Sequence, residues 1–399
     1  MTVFSGHITA DTPGGTSVER SGDRIGVHSS ERIWPLTAVL AASGCIVVGL
    51  IWDISWHRTI GRDTFWSAPH VLEQIGALLA ALTCGWLVLQ TTFGGESALG
   101  ATSVKVWGFR GPLGAWVCIW GAVMMVTSAP FDDWWHNAYG LDVKILSPPH
   151  AVLAIGMIAI QVGALLMALA SQNRANAETQ QRLSLMFAAS AGIMLTLQAT
   201  VLMENAAFAN QMHSVPFYVM TAIGMPMILA AAARPSHLRW PATTTAAIYM
   251  GIVLLMMWIL QLFPAIPKLA PIYNPVTHMV APPFPLLLVV PAIALDVIMR
   301  TVRGDWSRAV LIGVSFVVLM LATHWWWGEF LLSPAARNAL FAGDQWDYNI
   351  RPGPWQHQFW NLAPSGSAFA LGLMMAIVTA IATARIGLWI GSGMARVQR

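Results

Sequence analysis

The sequence predicts an all-α, polytopic transmembrane helix bundle of about ten helices with both termini cytoplasmic, and three observations carry that reading. Of 399 residues, 56% are hydrophobic and only 10% charged, where a soluble domain carries roughly 25% charged residues. Mean hydropathy is +0.60. Apolar runs recur along the chain, each near the ~20 residues that cross a bilayer.

Taken in order, residues 1–33 are rich in Gly, Ser, Thr and charges of both signs and lack the apolar stretch and cleavage site of a secretory signal. They read as a cytoplasmic polar tail. Apolar runs follow at about 34–52, 71–91, 113–131, 151–171, 184–203, 215–233, 243–263, 284–299, 309–327 and 366–384. The longest outer segment, about 328–365, carries Glu329, Asp344, Asp347 and His357 beside Trp325, Trp326, Trp327, Trp346, Trp355 and Trp360. It reads as a capping loop anchored at the aromatic interface, with a lid or partner-docking surface as its functional alternative. Met256, Met257, Met320, Trp116, Trp120 and Trp258 read as helix packing.

A net charge of +3, scattered among loops, forms no basic footprint and excludes a nucleic-acid partner. Cys45, Cys84 and Cys118 each stand alone in an apolar run, so neither a disulfide framework nor a CxxC metal site is written here. Orientation follows from the basic residues, which cytoplasmic loops collect. One set of loops holds Lys105, Arg110, Arg174, Arg182, Arg234, Arg239, Arg300, Arg303 and Arg308, and the C-terminal tail adds Arg385, Arg396 and Arg399. The alternate loops hold only Arg58, Arg62, Lys144, Lys268, Arg337 and Arg351. This topology puts His57, His70, His136, His150, His213, His278, His324 and His357, eight of the 11 histidines, at or near the outer face.

Two of the outer turns repeat each other. The first reads Asp53, Trp56, His57, Gly61, Asp63, Ser67, Pro69, His70, Gly76; the second reads Asp132, Trp135, His136, Gly140, Asp142, Ser147, Pro149, His150, Gly156. The offset is 79 residues up to the loop aspartate and 80 after it. Each unit is a helix closing on DxxWH, a short loop, and a helix opening near Pro-His. One pair of crossings separates the units, so this is a parallel repeat.

Asp and His four residues apart share one helix face. The later histidine opens the returning helix, where proline suits the first turn, and closes a set of one carboxylate and two imidazoles. An aspartate near the end of a membrane helix is costly unless paired or bound, and a cation would neutralise it. Asp63 and Asp142 precede turns and read as loop-shaping. Glu73, on the same helical face as His70, is a candidate proton carrier or extra ligand; the second unit has Leu153 there. Glu204, Asn205 and His213 form an outer polar turn, and Asp296 reads as a membrane-interface anchor. Chemistry leaves the metal open among copper, non-haem iron and zinc. It also leaves two other functions open: an outer-face metal-binding transporter or proton pathway, and a haem-binding electron-transfer protein using His57 with His136, or His70 with His150.

The D-x3-H-x12-H spacing of Asp53, His57 and His70 resembles the metal motif in the C subunit of the copper membrane monooxygenases, the particulate methane and ammonia monooxygenase superfamily. Asp132, His136 and His150 stand where that family has an Asn and two His. The run from Phe284 to Ile298, FPLLLVVPAIALDVI, resembles a helix of the family's A subunit. The resemblance implies a C-subunit-like unit over 34–171 and an A-subunit-like unit over 184–394 in one chain. It further implies copper as cofactor and oxygenation of a small substrate, a short alkane or alkene or ammonia, by dioxygen. Asp53, His57 and His70 would be the catalytic centre and Asp132, His136 and His150 a second metal site. A quinol would be the external electron donor, an outward-facing cupredoxin-like or cytochrome subunit the partner, and the assembly a homo-oligomer in the bacterial cytoplasmic membrane with its metal sites on the periplasmic face.

Overall fold

The computed structural model describes residues 33–61, 64–94, 102–140, 147–206, 212–266, 277–280, 285–341 and 366–398. The helices are α1 (Trp34–Thr59), α2 (Ala68–Phe93), α3 (Leu113–Tyr139), α4 (Pro148–Arg174), α5 (Ala177–Ala206), α6 (Val215–Ala233), α7 (Pro241–Leu260), α8 (Val289–Thr301), α9 (Asp305–Leu332) and α10 (Gly366–Met394). Among the described residues nine of these are long and apolar enough to cross a membrane. The chain is an all-α polytopic bundle and an integral membrane protein. A two-stranded hairpin, β1 (Val104–Val106) with β2 (Phe109–Gly111), joins α2 to α3. The polar tail, Asp63, Asp142, Phe284 and residues 342–365 with His357 lie outside the described residues.

Apolar composition on every side explains why a membrane is the solvent. On α2 the buried stripe runs Pro69, Gly76, Ala77, Ala80, Cys84, Leu87, Val88, while Val71, Ile75, Leu78, Leu82, Leu89 and Phe93 face outward. Without a hydrophobic drive between helices, close approach of small residues holds them together. The repeat reappears in this packing. A Cβ on Gly76 would lie 2.8 Å from Ala42 O and from Ile46 Cγ1, and one on Gly156 would lie 2.8 Å from Gly121 O and from Met125 Cγ. Ala42 and Gly121, like Ile46 and Met125, stand at the repeat offset. Gln161, wholly buried on α4, donates Nε2 to Ser43 O at 3.1 Å and ties the second repeat unit to the first.

Several helices outrun their apolar stretches. α1 ends at Thr59 and α3 at Tyr139, well past the expected 52 and 131, because hydropathy falls at Asp53 and Asp132 while backbone hydrogen bonding continues through the polar turn. For the same reason α9 reaches Leu332, so Glu329, at the start of the expected outer segment, belongs to the helix that carries Trp325, Trp326 and Trp327. After it comes a 3-10 turn, Pro334–Ala336.

The end opposite the Asp/His turns is stitched by polar bonds. Gln172 donates to Pro235 O at 3.0 Å, Asn173 to Met394 O at 3.1 Å and Val397 O at 2.7 Å, and Arg234 pairs with Asp305 at 2.6 Å. Asp296 sits at this end as expected, but it is no surface anchor. It is 1% exposed and accepts from the Ala242 amide at 3.1 Å, the Thr243 amide at 2.9 Å and the Thr243 hydroxyl at 2.7 Å. A carboxylate on α8 thereby caps the N-terminus of α7.

The helix α8 is only 13 residues long, about 20 Å at 1.5 Å per residue. His278 bridges to Pro264 at the far end of α7, whereas the Pro285 carbonyl accepts from Tyr249, nearly half-way along that helix, at 2.9 Å. The chain therefore reaches mid-bundle before α8 begins, passing through Leu287 at φ 58°. His324, one of the histidines placed at or near the outer face, is wholly buried in α9, with Nδ1 3.0 Å from Met320 O and its ring against the Leu286 backbone.

Candidate metal centre

Both Asp/His turns are built the same way. Asp53 and His57 lie one turn apart in the last part of α1, and Asp132 and His136 do so in α3. The chain then leaves the helix through a glycine in the left-handed region, Gly61 at φ 105° and Gly140 at φ 87°, where a side chain would be strained. Their amides close on Trp56 O and His136 O at 3.1 and 3.0 Å. The returning helices start with Pro69, and with Pro148 and Pro149, in the first turn. Ser147 caps α4 by accepting from the His150 amide at 3.4 Å. His70 and His150 are thereby set opposite the aspartates.

Each carboxylate divides its oxygens between two imidazoles. In the first unit Asp53 Oδ2 is 3.6 Å from His57 Nε2 and Oδ1 is 3.3 Å from His70 Nε2. In the second, Asp132 Oδ2 is 3.3 Å from His136 Nε2 and Oδ1 is 3.5 Å from His150 Nε2. The pairing is identical, oxygen for oxygen. All three residues expected in each triplet are brought together, across a loop that separates the later histidine from its aspartate.

The spacing bears on a metal. These N···O separations exceed the ~2.7–2.9 Å of charge-assisted hydrogen bonds. They are the distances of His–Asp ion pairs. Among the described residues no three His, Cys, Asp or Glu side chains are gathered round a common ion position as they stand, because the contacts run through the carboxylate. The donor set, two imidazoles and one carboxylate per site, fits a first-row transition metal. Oδ1 of each aspartate is shielded from solvent, while His57 at 46% and His150 at 35% exposure leave each site open on one side.

Aromatic rings mark the level of both sites. Phe65 and Trp66 pack edge to face at 4.7 Å beside the first; Phe131, Trp134, Trp135 and Tyr139 cluster beside the second, with Trp135 and Tyr139 at 4.4 Å. Trp66 and Trp134 are 78% and 54% exposed. Such belts sit where bilayer meets water.

The remaining candidates fall elsewhere. Glu73 lies in α2 below His70 and is 3% exposed. His213 is wholly buried in the turn before α6, packed edge-on against Trp325 at 4.2 Å. Burial pushes its imidazole below the ordinary value, opposed by the Glu329 charge and the Trp325 carbonyl. His278 is exposed beside Thr277, and the side chains of Glu204 and Asn205 lie outside the described residues. The sequence reading missed Gly49, four residues before Asp53, whose Cβ would lie 2.6 Å from Glu73 Cγ. Its signal was a glycine on the Asp53 face of α1 with Ser128 at the matching place of the second unit. No family model, characterised protein or solved structure matches this chain.

Proposed function

We propose that this chain is the membrane subunit of a copper-dependent monooxygenase, acting on a small substrate such as a short alkane, alkene or ammonia. The observation that carries the reading is the twofold occurrence of one carboxylate shared by two imidazoles, with the same oxygen-to-nitrogen pairing, at the aromatic belt of a membrane bundle. Copper bound there would supply one-electron chemistry and the activation of dioxygen. Asp53, His57 and His70 would hold the catalytic ion, and Asp132, His136 and His150 a second one. The carboxylates bring negative charge to the donor sets and orient both imidazoles, while the belt of Trp, Phe and Tyr keeps bulk water from one side and admits apolar substrates.

The distribution of charge supports an enzyme over a transporter. Among the described residues the only buried carboxylates are Glu73, under the first site, and Asp296, which caps a helix. A transport path asks for ionisable groups at successive depths. Quinol as donor, an outward-facing cupredoxin-like or cytochrome partner, homo-oligomeric assembly and a periplasmic location for the sites complete the proposal, by the motif resemblance and the loop-charge asymmetry.

Metal analysis with EPR on native membranes never exposed to chelator tests it. His57→Ala and His136→Ala should each remove part of the copper and the double variant nearly all. Unchanged metal in both single variants, or metal other than copper in the parent, would refute the reading.

A further inference from the structure

Resting on the reading of the triplets as metal sites, we propose that the two sites differ in affinity for a divalent cation, and that Glu73 makes the first the tighter one. Glu73 lies three residues beyond His70 on α2, about 4.5 Å further into the bundle, and is 3% exposed. Opposite it on α1, one turn before Asp53, stands Gly49. A Cβ there would meet Glu73 Cγ at 2.6 Å, Pro69 O at 3.1 Å and the Glu73 amide at 3.2 Å. The glycine leaves a notch that the glutamate stem fills.

The second unit answers the same positions differently. Ser128 and Leu153 stand at the offsets of Gly49 and Glu73. Ser128 is 2% exposed and donates to Met125 O at 2.7 Å, while Leu153 packs against the core. Both positions differ between the units, and among the described residues no buried carboxylate lies under the second triplet. The second hairpin is built without one. A glutamate kept at membrane depth, where it is costly, serves something other than the packing of the hairpin. A carboxylate one turn below Asp53 and His70 would add its charge to that of Asp53 when a cation binds, whereas the second triplet has leucine at that place. Glu73 acts here as a positioning and charge-setting residue rather than as a group on the reacting atoms.

Zinc titration of the full chain in lipid nanodiscs decides the matter. His136→Ala leaves the first site to be measured and His57→Ala leaves the second. The first should bind zinc at least about tenfold more tightly. Glu73→Gln in the His136→Ala background should weaken it roughly 10- to 100-fold, the range for groups that support metal ligands, and leave the second site unchanged in the His57→Ala background. Transplanting the pair as Ser128→Gly with Leu153→Glu should tighten the second site by a similar factor. If Glu73→Gln disturbs assembly, seen as loss of second-site zinc as well, the transplant alone decides. First-site affinity within about threefold of the parent in Glu73→Gln, or no gain on transplant, overturns the proposal. Absence of zinc from both single-site variants would instead defeat the metal reading on which it rests.

Discussion

Replacing Asp296 by alanine tests the most specific polar contact in the bundle. Its carboxylate takes two backbone amides, Ala242 and Thr243, and the Thr243 hydroxyl, at 2.7–3.1 Å in a dry setting. With the acceptor gone, the hydroxyl can turn elsewhere, but the two amides at the start of α7 have nowhere to go. A buried polar group left unsatisfied costs about 1–3 kcal/mol, so two give roughly 2–6 kcal/mol. Relief of the desolvation of the carboxylate offsets part of this. The expected loss is about 3 kcal/mol, near a 100-fold shift in the unfolding equilibrium at ~1.4 kcal/mol per tenfold. Asp296→Asn keeps one acceptor oxygen and should lose about half as much. Steric trapping in bicelles gives the free energy, and hydrogen exchange at Ala242 and Thr243 locates the effect. A loss under about 0.5 kcal/mol in Asp296→Ala, within the range of ordinary surface changes, would refute the cap.

Gln161→Leu removes the bond to Ser43 O that joins the two repeat units. Interhelical side-chain bonds in membranes average about 0.6 and reach about 1.7 kcal/mol, so a loss near 1 kcal/mol is expected in the same unfolding assay; no loss would show the bond to be idle. His213 is held below its usual 6.5 by burial, which fixes a sign. The unfolded imidazole gains its proton as pH falls through about 6.5 while the folded one does not, so stability declines from there downward and levels off once the folded group is protonated too. His213→Phe should flatten the dependence of thermal midpoint on pH between about 7 and 5, and an unaltered slope would exclude His213 as its source.

The Asp/His turns were legible because their geometry is local. Four-residue spacing fixes Asp53 and His57 on one face whatever surrounds them, and a short loop closed by Pro69 returns His70 to the same level. Helix ends were not legible: Asp53 and Asp132 end an apolar run, yet the helices continue for several residues through the interface. Asp296 was misread for a related reason. Its position near a helix end was right, but its partners, Ala242 and Thr243, lie some 53 residues away in sequence, and no periodicity announces a cap supplied by another helix. Glu73 was visible as a candidate, whereas Gly49 became informative only when the bundle set the two face to face.

The short α8 has a bearing on how the chain is made. A span of ~20 residues can partition into the bilayer alone, but 13 helical residues behind the non-helical Pro285–Leu287 cannot, since carbonyls such as that of Pro285 would meet hydrocarbon unbonded. The acceptor is satisfied by Tyr249 of the preceding helix, and the segment before α8 packs against His324 of the following one. By that chemistry this stretch is expected to enter the bilayer together with α7 and α9, which satisfy its backbone, rather than as a span of its own.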